Sequence, residues 1–344
     1  MAHTIGAKND AWLAQVTEEA LEPDLPIIDA HHHLWDGREQ MITPRYLFDE
    51  LLGDIRASGH NIIATVYMEA RSMYRVGVPD REAHLGEVEY VNGVAAQSAS
   101  GIYGDIRLCH GIIGHADFEQ GAEAGDLLDR AMALAPDRYR GVRQSVSFDK
   151  DVASRGFRQN PPHRYMDPKW REGYAELAKR GLLFEAWCYH PQLPELIDLA
   201  RAFPDTIIVL NHFGGFLGTG PYAVRKAEEF AAWKASIDEL AGCPNVVAKL
   251  GGYAMAINGF GWEERATPPT SDDLAAAGKA VYHHTMERFG LHRCVFESNF
   301  PVERESCSYG VLWNAFKKIA SGCSAEEKGN LFAGNAQRLY RLEL

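Results

Sequence analysis

Pro26-Ile27-Ile28-Asp29-Ala30-His31-His32-His33-Leu34-Trp35-Asp36 is the stretch on which the fold of this chain turns. Its first half is a short apolar run that reads as a buried strand. A doubly wound sheet is expected to leave its first strand through a Gly-x-Gly-x-x-Gly turn, whereas this strand runs into three histidines. On extended backbone the side chains alternate, so His31 and His33 point to one side and His32 to the other. Two imidazoles on one face beside a rigid strand suit a divalent metal, which takes one nitrogen from each.

Outward from that strand, further short β-rich runs recur at 62–68, 106–114, 139–146, 182–187, 206–210, 246–250 and 294–297, making eight with 25–30. Amphipathic stretches alternate with them at 81–99, 125–135, 170–179, 193–202, 222–240, 274–289 and 309–321. Alternation of this kind implies parallel pairing with right-handed crossovers, and eight repeats point to an α/β fold, the closed (β/α)₈ TIM barrel. The long irregular segments 69–80, 147–169, 213–220 and 251–273 each follow a strand, which places them on the C-terminal rim where barrel enzymes build their sites. Residues 1–24 read as an N-terminal extension with a short helix near 10–20 packed outside the barrel, and 25–344 as one barrel domain.

The chain has 344 residues, of which 46% are hydrophobic and 24% charged, a composition that fits a soluble globular protein. Its 35 basic and 47 acidic residues leave a net charge of -12, which does not attract a nucleic acid backbone or an anionic membrane surface. No stretch approaches the ~20 apolar residues of a membrane helix. The six cysteines contain no Cys-x-x-Cys pair, and the first twenty residues lack the apolar core of a secretion signal. A cytoplasmic enzyme acting on a small molecule is the expectation, with a homo-oligomer left open.

Further site residues follow from position. His212 ends the sixth run and is followed by glycines that let a ligand approach the backbone. His190 follows the fifth run as a further ligand or a proton donor. Arg143 on the fourth run and Arg71 after the second can each hold a carboxylate through parallel hydrogen bonds, or pair with an acid such as Glu69 to brace the rim.

The His31-x-His33 pair, His212-Phe213-Gly214, the strand Val247-Ala248-Lys249-Leu250-Gly251-Gly252 and Glu297-Ser298-Asn299-Phe300-Pro301-Val302 together resemble the amidohydrolase-related family of metal-dependent TIM-barrel hydrolases. The resemblance spans about 26–342, and the family includes sugar-acid lactonases and 2-pyrone-4,6-dicarboxylate lactonase. It implies hydrolysis of a lactone or a related ester or amide, assisted by a divalent metal, zinc or manganese, on His31, His33 and His212. Non-oxidative decarboxylases belong to the same family, so decarboxylation of an aromatic or unsaturated acid is the alternative. The last motif departs from the family pattern Gly-Ser-Asp-Trp-Pro, because Asn299 stands where the water-activating aspartate is expected. An amide accepts no proton at neutral pH, so Asn299 can orient water or donate to a developing oxyanion but cannot be the base. Glu297, two residues upstream, and Glu303 beyond Pro301 are the replacement carboxylates. A catalytically silent binding protein made by the loss of that aspartate is the third reading.

Overall fold

The computed structural model describes residues 9–152 and 160–344. Part of the expected rim loop 147–169 and the start of the expected N-terminal extension lie outside the described residues. Eight parallel strands pair in sequence order: β1 (Ile27–His32), β2 (Ile62–Met68), β3 (Arg107–Gly114), β4 (Tyr139–Val142), β5 (Leu183–Ala186), β6 (Ile208–Leu210), β7 (Val246–Leu250) and β8 (Cys294–Phe296). The ring closes where Asn299 N–H donates to His31 O at 2.8 Å and His33 N–H donates to Phe300 O at 2.7 Å. This is a (β/α)₈ barrel. β4, β5 and β8 end before their expected C-terminal ends, because the chain turns up into the rim loops there, whereas β1 runs two residues further than expected, to His32.

Helices α1 (Phe48–Ser58), α2 (Leu85–Ala99), α3 (Ala124–Leu134), α4 (Pro168–Tyr174), α5 (Leu193–Ala202), α6 (Lys226–Ala241), α7 (Ser271–Phe289) and α8 (Tyr309–Ile319) follow the strands in order. Each presents an apolar stripe to the barrel; in α1 the buried residues are Phe48, Leu51, Leu52 and Ile55, and Gly59 ends it in the left-handed conformation. Thr270 caps α7 through a reciprocal box with Asp273.

Two apolar layers result. The larger lies between the sheet and the helices. The smaller fills the lower lumen, where Ile28, Val66, Ile113, Leu183, Val209 and Val295 meet Ala336, Tyr340 and Leu342 of the C-terminal segment. The chain end therefore plugs the bottom of the barrel, so polar chemistry is confined to the upper half.

A register shift in β1 between Asp29 and His32 decides where the histidines go. Below it, Ile28 and Ala30 face the lumen, and Asp29 faces outward to Tyr309. Strict alternation would carry His31 and His33 outward with Asp29. The irregularity resets the phase and turns both inward, while His32 packs outward on Thr65 at 2.8 Å.

The N-terminal helix ends earlier than expected: residues 9–13 are helical, a turn follows at 14–15, and 16–20 form no regular element. Glu18, expected within that helix, instead accepts the backbone N–H of Ser271 at 2.8 Å and so binds the start of α7. Among the described residues no helix is long and apolar enough to cross a membrane.

Candidate active site

The strand ends converge on a cavity of about 240 Å³ lined by His33, His212, Asn299, Glu69, Arg143 and Arg71, with Trp35, Trp187 and Tyr189 in its wall. That is smaller than the ~300–1,000 Å³ of sites for drug-sized ligands and suits a substrate of about one ring.

Beneath the cavity floor lies Glu297, directly after β8. Its Oε2 stands 2.6 Å from His31 Nδ1 and its Oε1 2.7 Å from His212 Nδ1. All three side chains are shut away from solvent, the largest exposure being 3% for His212. Two glycines after β7 make room for this approach. A Cβ on Gly251 would stand 2.4 Å from Glu297 Cγ, and one on Gly252, whose φ is +71°, would stand 2.2 Å from His212 Nδ1.

The ring protons follow from these contacts. His33 Nδ1 lies 2.9 Å from the Met68 carbonyl, which can only accept, so Nδ1 carries the proton and Nε2 a lone pair. Glu297 imposes the same tautomer on His212. His31 Nδ1 faces both the Glu297 oxygen at 2.6 Å and Lys249 Nζ at 3.3 Å. Only the lysine contact has hydrogen-bond geometry, so the ammonium donates to His31 Nδ1 while the Glu297 oxygen lies beside that ring. Burial, with Lys249 adding to it, pushes His31 far below the usual imidazole range, and burial with Arg143 does the same to His33. Both rings are therefore neutral.

His31 Nε2 and His33 Nε2 stand 3.1 Å apart. Nitrogens bonded to one ion at ~2.0–2.1 Å sit roughly 3.0–3.4 Å apart. The pair fits a divalent metal. Among the described residues, His31, His212 and Glu297 also form a potential ligand group, with donor atoms within 4.8 Å of one another.

Arg143 is fully committed to the protein. Its Nε donates to Glu69 Oε1 at 3.0 Å, its Nη2 to the Glu69 carbonyl, and its Nη1 lies 3.3 Å from His31 Nε2. Burial alone would raise the Glu69 carboxyl, but the Arg143 guanidinium overrides it and holds the group below the ordinary carboxylate value. Glu69 Oε2 has no hydrogen-bond partner. Arg71, with φ of +55°, is exposed at the cavity mouth. Asn299, with φ of +54°, forms part of the cavity wall, and its buried side chain lies against the Glu303 carboxyl behind it.

His190 is not brought to this cluster. Its Nε2 pairs with Glu229 at 3.1 Å and its Nδ1 accepts the Leu217 N–H at 3.1 Å, so both nitrogens brace the rim. Glu303, expected on the rim, is completely buried, and its carboxyl is pushed up to about 8 by that burial. Lys249 on β7 and Glu185 on β5 were not anticipated. They pair at 2.9 Å under the histidines, both with fully buried side chains. The signal for each was a lone charge at an inward position of an apolar strand, Val246-Val247-Ala248-Lys249-Leu250 and Leu183-Phe184-Glu185-Ala186.

A family model described as amidohydrolase matches residues 28–342. The chain belongs to the amidohydrolase family. It is an enzyme of that family built on the family's barrel. An uncharacterised protein, y4mH, of Sinorhizobium fredii is 34% identical over 337 residues, covering 93% of this chain and 99% of that one. An L-fucono-1,5-lactonase of Burkholderia ambifaria is 24% identical over 323 residues, covering 92% of this chain and 96% of that one. The crystal structure of an amidohydrolase from Burkholderia multivorans with bound zinc superposes with a TM-score of 0.69 at 23% identity, covering 92% and 99% of the two chains.

Proposed function

We propose that this amidohydrolase hydrolyses a small lactone, adding water to the ring carbonyl inside the cavity. The observation that carries the reading is Glu297 Oε1 accepting from His212 Nδ1 at 2.7 Å, which leaves His212 Nε2 as a bare acceptor on the cavity side. The likeness to an L-fucono-1,5-lactonase supports a cyclic ester as substrate.

His212 Nε2 takes the proton of the attacking water, and the Glu297 carboxylate stabilises the imidazolium that forms. The ring C–O bond then breaks, and the proton on His212 Nε2 passes to the leaving oxygen to give a hydroxy acid. Glu69 Oε2 accepts a substrate hydroxyl, and Arg71 at the mouth meets an acidic substituent. Glu297 does not line the cavity, so it is a positioning residue. His31 and His33 would hold a divalent ion such as zinc or manganese. When bound, that ion supplies Lewis-acid polarisation and acidifies its water.

The test is a panel of five- and six-membered sugar-acid lactones and pyrone lactones followed by proton release at constant pH, beside aromatic acids followed for carbon dioxide. Catalysed proton release from a lactone is the expected result. Carbon dioxide from an aromatic acid, or binding with no turnover, would overturn the proposal.

A further inference from the structure

The lumen holds a second, deeper set of charges that does not line the cavity. Lys249 Nζ lies 2.9 Å from Glu185 Oε2, 3.3 Å from His31 Nδ1 and 3.9 Å from Glu297 Oε2. Glu185 is gripped from below: Tyr340 of the C-terminal plug donates its hydroxyl to Oε1 at 2.6 Å, and Asn211 donates its amide to Oε2. The Lys249 ammonium also sits over the Tyr340 ring, 5.6 Å from its centre. Lys249, Glu185 and Glu297 are all completely buried.

A buried ion pair is a poor way to gain stability, since desolvating both charges costs several kcal/mol and an apolar pair of similar volume commonly does as well or better. The pair's placement gives it another use. Glu297 is a buried carboxylate, and Lys249 is the only lysine or arginine within ion-pair distance of it among the described residues. A buried carboxylate that holds His212 by its Nδ1 through one oxygen needs a fixed counter-charge beside the other. We infer that Lys249 is a positioning residue, which holds Glu297 and His31 in register from below while Glu185 and Tyr340 fix its ammonium.

The kinetic arm of the test rests on the lactone reading; the spectroscopic arm does not. Lys249→Met is expected to lower kcat by about 10–100-fold with KM within about threefold, because Lys249 supports the rings without meeting the substrate. The ring ¹⁵N resonances of His31 and His212 are expected to move in the same variant without any substrate present. The double variant Glu185→Leu/Lys249→Met removes both members of the ion pair together and is expected to fold with a Tm above that of Lys249→Met, yet keep the kinetic loss and the displaced ring signals. Lys249→Arg, which keeps the charge, is expected to recover part of kcat. Wild-type kcat and unmoved ring signals in the double variant would overturn the inference and leave the pair a structural one. If no lactone is turned over by the wild type, the lactone reading fails and the ring spectra alone decide this inference. If Lys249→Met does not fold, the double variant decides it.

Discussion

Glu303 lies just behind Asn299, completely buried, and neither carboxylate oxygen has a hydrogen bond of good geometry. Burial raises its carboxyl from 4.5 to about 8; the neighbouring Asn299 side chain and Ala254 backbone pull it back only in part, and Glu297 pushes it further up. A raised carboxyl means that the folded protein keeps a proton the unfolded chain has released, so stability falls as pH rises from 4.5 toward 8. At 1.36 kcal/mol per pH unit, the loss attributable to this group between pH 4.5 and 7 is about 3 kcal/mol, with about 1 more by pH 9. Glu303→Gln keeps the shape and removes the titration. Urea unfolding of the two proteins at pH 4.5, 7 and 9 gives a difference curve in which Asp29, raised by burial to about 6, and Glu87, raised to about 7 by burial and by Glu69, cancel. The expectation is that the variant gains on wild type by about 3 kcal/mol over the first interval. A difference curve flat to within about 0.5 kcal/mol would refute the reasoning, since a carboxyl buried without a good partner cannot titrate alike in both states.

Four further outcomes follow from the site. Gly252→Ala places a methyl 2.2 Å from His212 Nδ1 at a φ of +71°, and should cost about 1–3 kcal/mol of stability and at least about tenfold in kcat, measured by melt and by initial rates. Arg143→Met strands the Glu69 carboxylate and should destabilise by about 3–5 kcal/mol in chemical unfolding, a loss that adding Glu69→Leu largely reverses. His190→Gln should keep kcat within about threefold while lowering stability by about 1 kcal/mol for each rim hydrogen bond lost. Elemental analysis separates the histidines: His33→Ala should lose the bound metal, whereas His212→Gln should retain it and lose turnover.

The barrel was legible in the sequence because its evidence is repeated: each strand and helix restates the same alternation, so errors of a few residues at β4 or β8 do not change the count. His31, His33 and His212 were legible for a related reason, since histidines at strand ends in a barrel can only gather on one rim. What hid was anything set by two distant residues meeting. Nothing local to Arg143 says that its three nitrogens are taken by Glu69 and His31, or that His190 is turned to Glu229 and Leu217. The depth of Glu303 depends on distant residues gathering round it, among them Ala254 and, on α7, Tyr282, which its own stretch of sequence does not record. The inward turn of His31 and His33 depends on a register shift in β1, and simple alternation reached the right pairing of the two while leaving open which way they face. Lys249 and Glu185 could have been found as charges stranded in apolar strands, though only three dimensions pair them.

The proposed reaction adds water, activated at His212, to a lactone carbonyl. It is tested most directly in H₂¹⁸O, with the hydroxy-acid product analysed by mass spectrometry at a rate corrected for spontaneous opening. Wild-type enzyme should place one ¹⁸O in the product carboxylate and none in the released hydroxyl, and His212→Gln should abolish the catalysed fraction. Label in the hydroxyl, or undiminished incorporation by His212→Gln, would contradict the account.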